Sequence, residues 1–228
     1  MEYPDDGSFR DFENWTLWRK SNYHFFSEQL RQIKSSSKAL LDLGSGRGQF
    51  LELYKGFEVY VGVDFSPYDS VSVILDLSED LPFHSNSFDF VVASNVLEHL
   101  ADSAKIIGES FRLIKPGGKF VGTIPFLMPV HQAPYDFVRY TPFALTMLLE
   151  AAGFTDVKVY ALNSVDETFK YLFQKFWQIS VRNNQSLKNR VLFKILNLVN
   201  RVFLRLINNS FICQDFNLGF GFTAIRPD

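Results

Sequence analysis

The amino-acid sequence predicts a doubly wound α/β fold built on a mostly parallel sheet, and three observations indicate it. Residues 39–41 form a short apolar run that leads into an acid and three closely spaced glycines, as a buried strand followed by a ligand loop does. A second apolar run, residues 59–63, ends in another acid. Further apolar runs at 90–93 and 119–124 flank a helical pattern at 103–114, the alternation typical of strand–helix–strand units.

The glycine loop after the first strand is the strongest local signal. Glycine lets the backbone take positive φ and leaves space for a ligand against the main chain. Residues 49–54 are predicted to begin a helix whose first N–H groups face the loop, which completes a nucleotide site. A tight turn without a ligand is the alternative. The candidate cofactor residues of the loop are Asp42, Gly44, Ser45, Gly46 and Gly48.

The spacing of these glycines separates two classes of nucleotide site. A dinucleotide loop needs Gly-x-Gly-x-x-Gly, and Gln49 stands where its third glycine would fall. The run from Asp42 to Gly48 reads Asp-Leu-Gly-x-Gly-x-Gly, which resembles motif I of the class I S-adenosylmethionine-dependent methyltransferases. The resemblance implies a Rossmann-like methyltransferase sheet with an antiparallel last strand and S-adenosylmethionine as cofactor. The glycine spacing disfavours a nicotinamide oxidoreductase.

The acid after the second strand extends this predicted site. Asp64 lies 22 residues after Asp42, close to the separation expected of a carboxylate that accepts hydrogen bonds from ribose hydroxyls. The alternative is a surface acid that ends a strand. Phe65 follows it and is a candidate to lie against an adenine face.

The stretch from residue 76 to residue 100 carries the "LPF", "SFD" and "LEH" runs in the order of the family's middle motifs. The resemblance implies that Asp76 and the Leu77 amide contact adenine. Ser94 and Asn95 follow the fourth predicted strand, at the edge where open α/β sheets bind ligands.

One connection departs from the family. Only residues 65–70 separate the second predicted strand from the third, residues 71–75, whereas a helical crossover needs about a dozen residues. The helix usually found there in methyltransferases is therefore expected to be reduced to a turn or lost.

A proline-rich loop, residues 126–142, follows the fifth strand, and long irregular loops in compact domains are usually functional. Its pattern P-x-H-x-x-P-x-D-x-x-R-Y-T-P resembles a subgroup of type 11 methyltransferases associated with bacterial cell-surface saccharides. His131 is the candidate general base, because its unperturbed pKa suits proton removal near neutral pH. Asp136 is a candidate to orient it, and Arg139 to hold an acidic acceptor group or pair with Asp136. Alternatively, the three residues brace the loop by internal hydrogen bonds.

Local signals also bound the later elements. Thr141 as N-cap and Pro142 at the first helical position predict a helix over 143–152 that ends at Gly153. Residues 154–161 read as a sixth strand and residues 217–225 as the last one.

Two helical segments lie outside the resemblance. Residues 9–34 predict one or two helices, which either pack over the cofactor and acceptor mouth, as often in the family, or simply cover the sheet. Residues 162–210 predict two amphipathic helices inserted before the last strand. Between Asp166 and Arg205 the net charge is +6, against −8 elsewhere. Such helices form a lid or a dimer interface, or lie in a membrane interface.

Composition excludes several functions. The chain of 228 residues has a net charge of −2, which gives no global electrostatic case for nucleic acid, and 46% hydrophobic residues. A single cysteine, Cys213, suits a reducing compartment, and no secretory signal or spanning apolar run is recognised. The expected location is cytoplasmic, with peripheral contact to the inner face of the membrane as the alternative for the insertion.

No metal is expected, because the histidines lack ligand spacing: His24, His84, His99 and His131.

The predicted organisation is an N-terminal helical cap (1–37), a cofactor-binding α/β core (38–161), a helical insertion (162–210) and the final strand of the core (211–228). The predicted function is methyl transfer from S-adenosylmethionine to a small-molecule acceptor, a hydroxyl of a saccharide or lipid-linked saccharide. The alternatives are transfer to a quinone or lipid carbon or oxygen, and a cofactor-binding scaffold without catalysis.

Overall fold

The computed structural model describes residues 12–31, 38–183, 191, 195–196, 198 and 211–228. The strands are β1 (Ala39–Leu43), β2 (Val59–Asp64), β3 (Val73–Ile74), β4 (Phe88–Ser94), β5 (Ile114–Pro125), β6 (Thr155–Ala161) and β7 (Gly219–Ile225). The helices are α1 (Leu17–Arg31), α2 (Ser103–Leu113), α3 (Pro142–Ala151) and α4 (Val165–Asn183), with short 3-10 helices at Phe12–Asn14, Leu51–Tyr54 and Leu97–His99.

The seven strands form one sheet in the order β3-β2-β1-β4-β5-β7-β6. The pairs from β3 through β5 are parallel, whereas β7 runs antiparallel to both β5 and β6. The predicted fold class, a mostly parallel doubly wound sheet with an antiparallel last strand, is confirmed. The strand order reverses at β1 and β4, so the C-terminal ends of these two strands open the crevice where such sheets bind ligands.

Helices cover both faces of the sheet, because successive residues of each strand point to opposite sides. On one face, Ile106 and Ile107 of α2 and Leu145 and Leu149 of α3 are fully buried in the larger core cluster. On the other face, α1 packs its aromatic residues into a second cluster together with Phe50 and Tyr54. The α1 residues in that cluster are Phe25, Phe26 and Leu30.

The helix predicted to begin within residues 49–54 is present only as a short 3-10 helix. Those residues form a turn and then the 3-10 helix Leu51–Tyr54. Phe50 and Tyr54 are buried against α1, which covers the sheet face that a longer helix would occupy. The fate of this segment therefore depends on a packing partner elsewhere in the chain rather than on its own pattern.

Several local predictions are confirmed. The connection after β2 contains no helix, and β3 is reduced to two residues. Thr141 caps α3 by accepting a hydrogen bond from the Ala144 N–H at 3.2 Å, and Pro142 stands at the start of the helix. Gly153, just after α3, has φ +104°, a conformation that favours glycine.

The insertion before β7 begins with α4, in agreement with the first of its two predicted helices. Of the second predicted helix, around residues 192–206, the structure describes residues 195–196 and 198, which are helical. Its basic residues Arg190, Lys194, Arg201 and Arg205 lie outside the described residues, as do residues 1–11 and 32–37. In the part of the chain that the structure describes, no helix is long and apolar enough to cross a membrane.

Candidate active site

The glycine loop turns sharply between β1 and the 3-10 helix. Gly44, Gly46 and Gly48 all have positive φ, between +53° and +72°. A Cβ at Gly44 would lie 2.6 Å from the Val96 side chain, and one at Gly48 would lie 2.7 Å from the Cβ of Ser70. Both positions therefore need glycine for conformation and for space.

Asp64 faces this loop at the end of β2. Its Oδ2 accepts a hydrogen bond from the Gly46 N–H at 2.9 Å, and its Oδ1 accepts one from the Ser66 N–H at 2.9 Å. The residue is only 7% exposed. A carboxylate has about four acceptor positions, so two remain for ligand hydroxyls. This arrangement fits the ribose of an adenosyl cofactor.

Asp42 lies beneath the loop at the end of β1. It is 5% exposed, and its Oδ2 accepts a hydrogen bond from the Tyr60 hydroxyl at 3.0 Å. Burial raises the pKa of Asp42 to about 7; the Tyr60 hydrogen bond opposes that rise, and the nearby charge of Asp64 adds to it. Three residues later, Ser45 donates its backbone N–H to the Val63 carbonyl at 3.0 Å, which ties the loop to β2.

The short connection after β2 packs on the same loop. The Ser70 hydroxyl donates to the Gly46 carbonyl at 2.6 Å, and the Ser72 N–H donates to the Gly62 carbonyl at 2.7 Å. Residues 66–72 therefore brace the glycine loop in place of a crossover helix. Phe65, at the start of this connection, is 75% exposed.

The predicted adenine contacts follow β3 at the same end of the sheet. Asp76 is exposed, and its Oδ1 accepts a hydrogen bond from the Ser78 N–H at 2.8 Å. This bond lowers the pKa of Asp76. Leu77 is half-buried and packs against the larger core cluster. The Leu75 N–H donates to the Asp64 carbonyl at 3.0 Å, so this segment and the Asp64 region are directly joined.

Ser94 and Asn95 end β4 at the crevice. Asn95 has φ +55°, and its Nδ2 donates to the Ser94 hydroxyl at 3.3 Å. Its Oδ1 accepts a hydrogen bond from the indole N–H of Trp18 at 3.0 Å. Helix α1 thus covers the sheet face through its C-terminal half, which is one of the two predicted alternatives, and contacts the residue after β4 through Trp18.

The structure brings His131, Asp136 and Arg139 together. Arg139 donates to both carboxylate oxygens of Asp136, its Nη2 to Oδ2 at 2.7 Å. The His131 N–H donates to the same Oδ2 at 2.8 Å, and His131 Nδ1 lies 3.2 Å from it. The Arg139 guanidinium holds the pKa of the Asp136 carboxyl well below its usual range. The Asp136 side chain is 1% exposed, so this ion pair braces the loop from inside.

A second cluster beside that loop was not anticipated from the sequence. The Glu98 side chain is 1% exposed, and its Oε1 lies 3.5 Å from His99 Nε2 and 3.8 Å from His131 Nε2. Burial raises the pKa of Glu98 to about 8 and lowers the pKa of His99. The sequence signal for it is an acid, Glu98, within the otherwise apolar run 96–100, where it also forms part of the "LEH" motif.

Two open clefts lie along α4, which forms a wall of each, and His131 lines the smaller one. A cleft of about 340 Å³ separates α4 from the start of α1, and one of about 290 Å³ separates α4 from residues 128–131 of the loop. Tyr171, Lys175 and Gln178 of α4 line both. Tyr171 also packs with Trp18 and Leu218 in a small buried cluster, so α4 is anchored to the core at this point.

Comparison with known proteins gives one family. The family model described as "Methyltransferase domain" matches residues 17–159. A demethylmenaquinone methyltransferase of Corynebacterium kroppenstedtii is 30% identical over 141 residues, covering 58% of this chain and 58% of that protein. A probable S-adenosylmethionine-dependent methyltransferase of Mycolicibacterium smegmatis is 28% identical over 137 residues, covering 53% of each chain. This chain therefore spans little more than half the length of these curated relatives.

Among solved structures, a SAM-dependent methyltransferase from Archaeoglobus fulgidus superposes with a TM-score of 0.57 and 19% identity, covering 89% of this chain and 94% of that one. The likeness concerns the fold: a mostly parallel seven-stranded sheet flanked by helices.

Proposed function

This chain belongs to the methyltransferase domain family, enzymes that use S-adenosylmethionine, and we propose that it methylates a hydroxyl of a saccharide or lipid-linked saccharide. The observation that carries the proposal is the loop of His131, Asp136 and Arg139, which leaves the C-terminal end of β5 and lines a cleft shared with α4. Within the family we assign the chain to the type 11 group with this loop pattern.

The cofactor side of the proposal rests on the crevice at the end of β1 and β2. S-adenosylmethionine supplies an already activated methyl group, so the protein supplies alignment and proximity. The bare backbone at Gly44 and Gly46 would lie against the cofactor, and the two open acceptor positions of Asp64 would take the ribose hydroxyls. Exposed Phe65 would cover one face of the adenine.

Adenine and the reacting end of the cofactor would be held by the next segments of the sheet edge. The exposed carboxylate of Asp76 and the Leu77 amide are proposed to contact the adenine amino group and ring. Ser94 and Asn95, which end β4, are proposed to face the rest of the cofactor, with Asn95 fixed by Trp18. Asp42, beneath the glycines, is proposed to contribute to cofactor binding from inside the glycine loop.

On the acceptor side, His131 is proposed to take up the hydroxyl proton when the acceptor oxygen bonds to the methyl carbon, the methyl–sulfur bond breaks and S-adenosylhomocysteine is left as the thioether. It is one-third exposed and lines the cleft, whereas Asp136 is buried and already neutralised by Arg139. Asp136 would therefore position the imidazole rather than react. The bound acceptor would be aligned in the cleft, and such alignment can supply a large part of the rate enhancement.

The lining of the clefts supports a saccharide. In the cleft beside His131, α4 contributes the ammonium of Lys175, the amide of Gln178 and the ring of Tyr171. The neighbouring cleft adds Glu167, Gln174 and Trp15. Sugar hydroxyls both donate and accept hydrogen bonds, so such groups suit them.

The decisive experiment is turnover of labelled S-adenosylmethionine by the full chain against a panel of saccharides, lipid-linked saccharides and quinones. Transfer to saccharide hydroxyls supports the proposal. Turnover of quinones alone would replace it, and binding of S-adenosylhomocysteine without any turnover would favour a cofactor-bound scaffold. His131→Gln should lower kcat while leaving S-adenosylhomocysteine affinity unchanged; an equal loss of both would make His131 structural.

Quinone or lipid methylation is the second candidate. Its support is the name of the Corynebacterium kroppenstedtii relative, a demethylmenaquinone methyltransferase, together with the apolar part of the cleft wall. That wall contains Met128, Val130 and Ile179. A quinone acceptor would be methylated without need of the polar side chains of α4, so Gln178→Ala separates the candidates: it should impair only saccharide transfer.

Helix α4 is proposed to act as a lid over the acceptor cleft, with a dimer interface or peripheral membrane contact as the other outcomes of the test. Tyr171 anchors it to the core, yet Phe176 is 65% exposed and Ile179 is 53% exposed. Flotation with anionic liposomes and sizing in solution decide between them. A monomer that does not bind the liposomes is expected of a lid, a dimer indicates an interface, and flotation indicates membrane contact.

A further inference from the structure

We propose that Glu98, His99 and His131 form a binding site for one divalent transition-metal ion of the zinc class. The site lies where the 3-10 helix Leu97–His99 after β4 meets the loop after β5. It goes beyond the proposed methyl transfer and does not depend on it.

The three ligand atoms are spaced as a metal requires. Glu98 Oε1 lies 3.5 Å from His99 Nε2 and 3.8 Å from His131 Nε2, and one ligand atom from each residue lies within 4.8 Å of the others. Ligands bound at about 2.0–2.1 Å to a tetrahedral zinc ion are about 3.3–3.4 Å apart. The pairs to Glu98 are close to that separation, so small side-chain rotations suffice to close the site.

Each imidazole is held from its other nitrogen. His99 Nδ1 lies 2.6 Å from the Tyr135 carbonyl, to which it donates its hydrogen, so Nε2 carries the free lone pair. His131 Nδ1 lies 3.3 Å from the Pro129 carbonyl and 3.2 Å from Asp136 Oδ2. Metal-binding histidines are typically oriented in this manner, by a carbonyl or carboxylate on the second nitrogen.

Glu98 supplies the independent observation. Its side chain is 1% exposed, and neither carboxylate oxygen has a hydrogen-bond partner among the described residues. His99 Nε2 is likewise buried and without one. Buried polar groups are hydrogen-bonded in most native proteins, so an unpartnered buried carboxyl and imidazole call for another partner. Arg139, the cation whose charge acts on Glu98, is already engaged by Asp136. An ion between Glu98 and the histidines would satisfy all three groups.

The ligand set selects the class of ion. Two imidazoles and one carboxylate suit zinc and neighbouring transition metals, whereas calcium and magnesium prefer oxygen ligands alone. Three protein ligands leave a fourth position open, as in catalytic zinc sites. His131 also lines the cleft beside α4, so the ion would lie next to the proposed acceptor.

An ion bound to His131 Nε2 would occupy the lone pair that a general base on that nitrogen needs. Metal coordination and direct proton uptake are therefore alternative states of His131, and metal binding is measured first without acceptor. Sequence spacing did not group these residues, because His99 and His131 are brought together only by the adjacency of β4 and β5.

The test uses the full chain, stripped with a chelator and titrated with zinc and, separately, with cobalt as a spectroscopic probe. Wild type should bind one equivalent, with the absorption of four- or five-coordinate cobalt. Glu98→Gln, His99→Gln and His131→Gln should each weaken binding by more than about 100-fold, beyond the usual loss for an outer partner. His84→Gln, at an exposed histidine, should bind as wild type does.

Absence of stoichiometric binding to wild type would overturn the proposal and leave Glu98 as a protonated group between two imidazoles. Binding that survives all three substitutions would overturn it as well. Affinity for S-adenosylhomocysteine, measured on every variant, reports whether the fold and the cofactor crevice remain intact. Methyl transfer is assayed separately, so failure of the metal site and failure of the proposed function are distinguishable.

Discussion

Trp18 donates its indole N–H to the side-chain oxygen of Asn95 across 3.0 Å, which joins the first turn of α1 to the end of β4. The two residues are 77 positions apart. Asn95 also holds φ +55°, so the same residue turns the chain at the crevice and anchors the helix above it. The N-terminal helix therefore covers the sheet and is also tied to the residue that follows β4.

Loss of this hydrogen bond should weaken both stability and cofactor binding. Trp18→Phe retains most of the apolar surface but leaves the Asn95 oxygen without its donor, at a cost of about 1 kcal/mol in the free energy of unfolding. Asn95→Gly keeps the left-handed backbone accessible and completes a double-mutant cycle. Urea unfolding of the four proteins measures the coupling, and a value near zero would mean that α1 is held by packing alone.

The glycine loop should tolerate no side chain at Gly48. An alanine there has φ +72° and meets Ser70 at 2.7 Å, so the loop and its brace must move apart. We expect affinity for S-adenosylhomocysteine to fall at least tenfold, about 1.4 kcal/mol, by calorimetry. Gly108→Ala in α2 is the control: nothing lies within 4 Å of the added carbon, and stability should rise by about 0.5–1 kcal/mol. Equal effects of both changes would contradict the prediction.

Asp42 should make the protein less stable as pH rises from about 4 to about 7. Its pKa is raised from 3.8 to about 7 in the folded state, chiefly by burial. Below this window both states hold the proton. Within it the folded state binds more protons than the unfolded state, so the free energy of unfolding declines, by up to about 4 kcal/mol, and levels off above the folded pKa.

Asp42→Asn removes the titrating group. The free energy of unfolding of this variant should therefore rise relative to that of wild type as pH increases across that window. Urea unfolding at several pH values measures the difference. Glu52→Gln, at an exposed residue, should keep the wild-type profile. If the Asp42→Asn and wild-type curves stay parallel, the carboxyl is ionised in the fold, and a cation must be sought beside it.

Arg139→Lys should loosen the loop although the charge is kept. Lysine cannot supply the paired hydrogen bonds that Asp136 accepts from the guanidinium, and the Asp136 side chain is 1% exposed. We expect the free energy of unfolding to fall by about 1–3 kcal/mol and methyl transfer to fall with it. Arg31→Lys, at the exposed end of α1, is the matched control. Unchanged stability would show that the loop is held by other contacts.

Features with a local cause could be predicted from the sequence. The turn at Gly44 to Gly48, the missing crossover helix after β2 and the cap at Thr141 each depend on a few neighbouring residues, and each is found. The helix expected at residues 49–54 is reduced to a 3-10 helix over Leu51–Tyr54, where Phe50 and Tyr54 pack against α1. No pattern within those six residues reveals that partner.

The candidate site also contains both predictable and unpredictable contacts. The glycine loop and Asp64 are near one another in the sequence and fit one known spacing, and they meet in the fold. His99 and His131 belong to different motifs, and their approach to within 5.0 Å between ring centroids depends on the pairing of β4 with β5. Ligand spacing along the chain therefore could not group them, since parallel strands carry distant residues to one edge.

The insertion of β7 between β5 and β6 also governs the order of events during synthesis on the ribosome. β6 ends at Ala161, yet its neighbour in the sheet begins only at Gly219. Until that late strand emerges, β6 has no place in the sheet, and β5 presents an open row of amide and carbonyl groups. A nascent chain stalled before residue 219 thus exposes an unpaired strand edge. Chaperones and neighbouring polypeptides compete for such an edge.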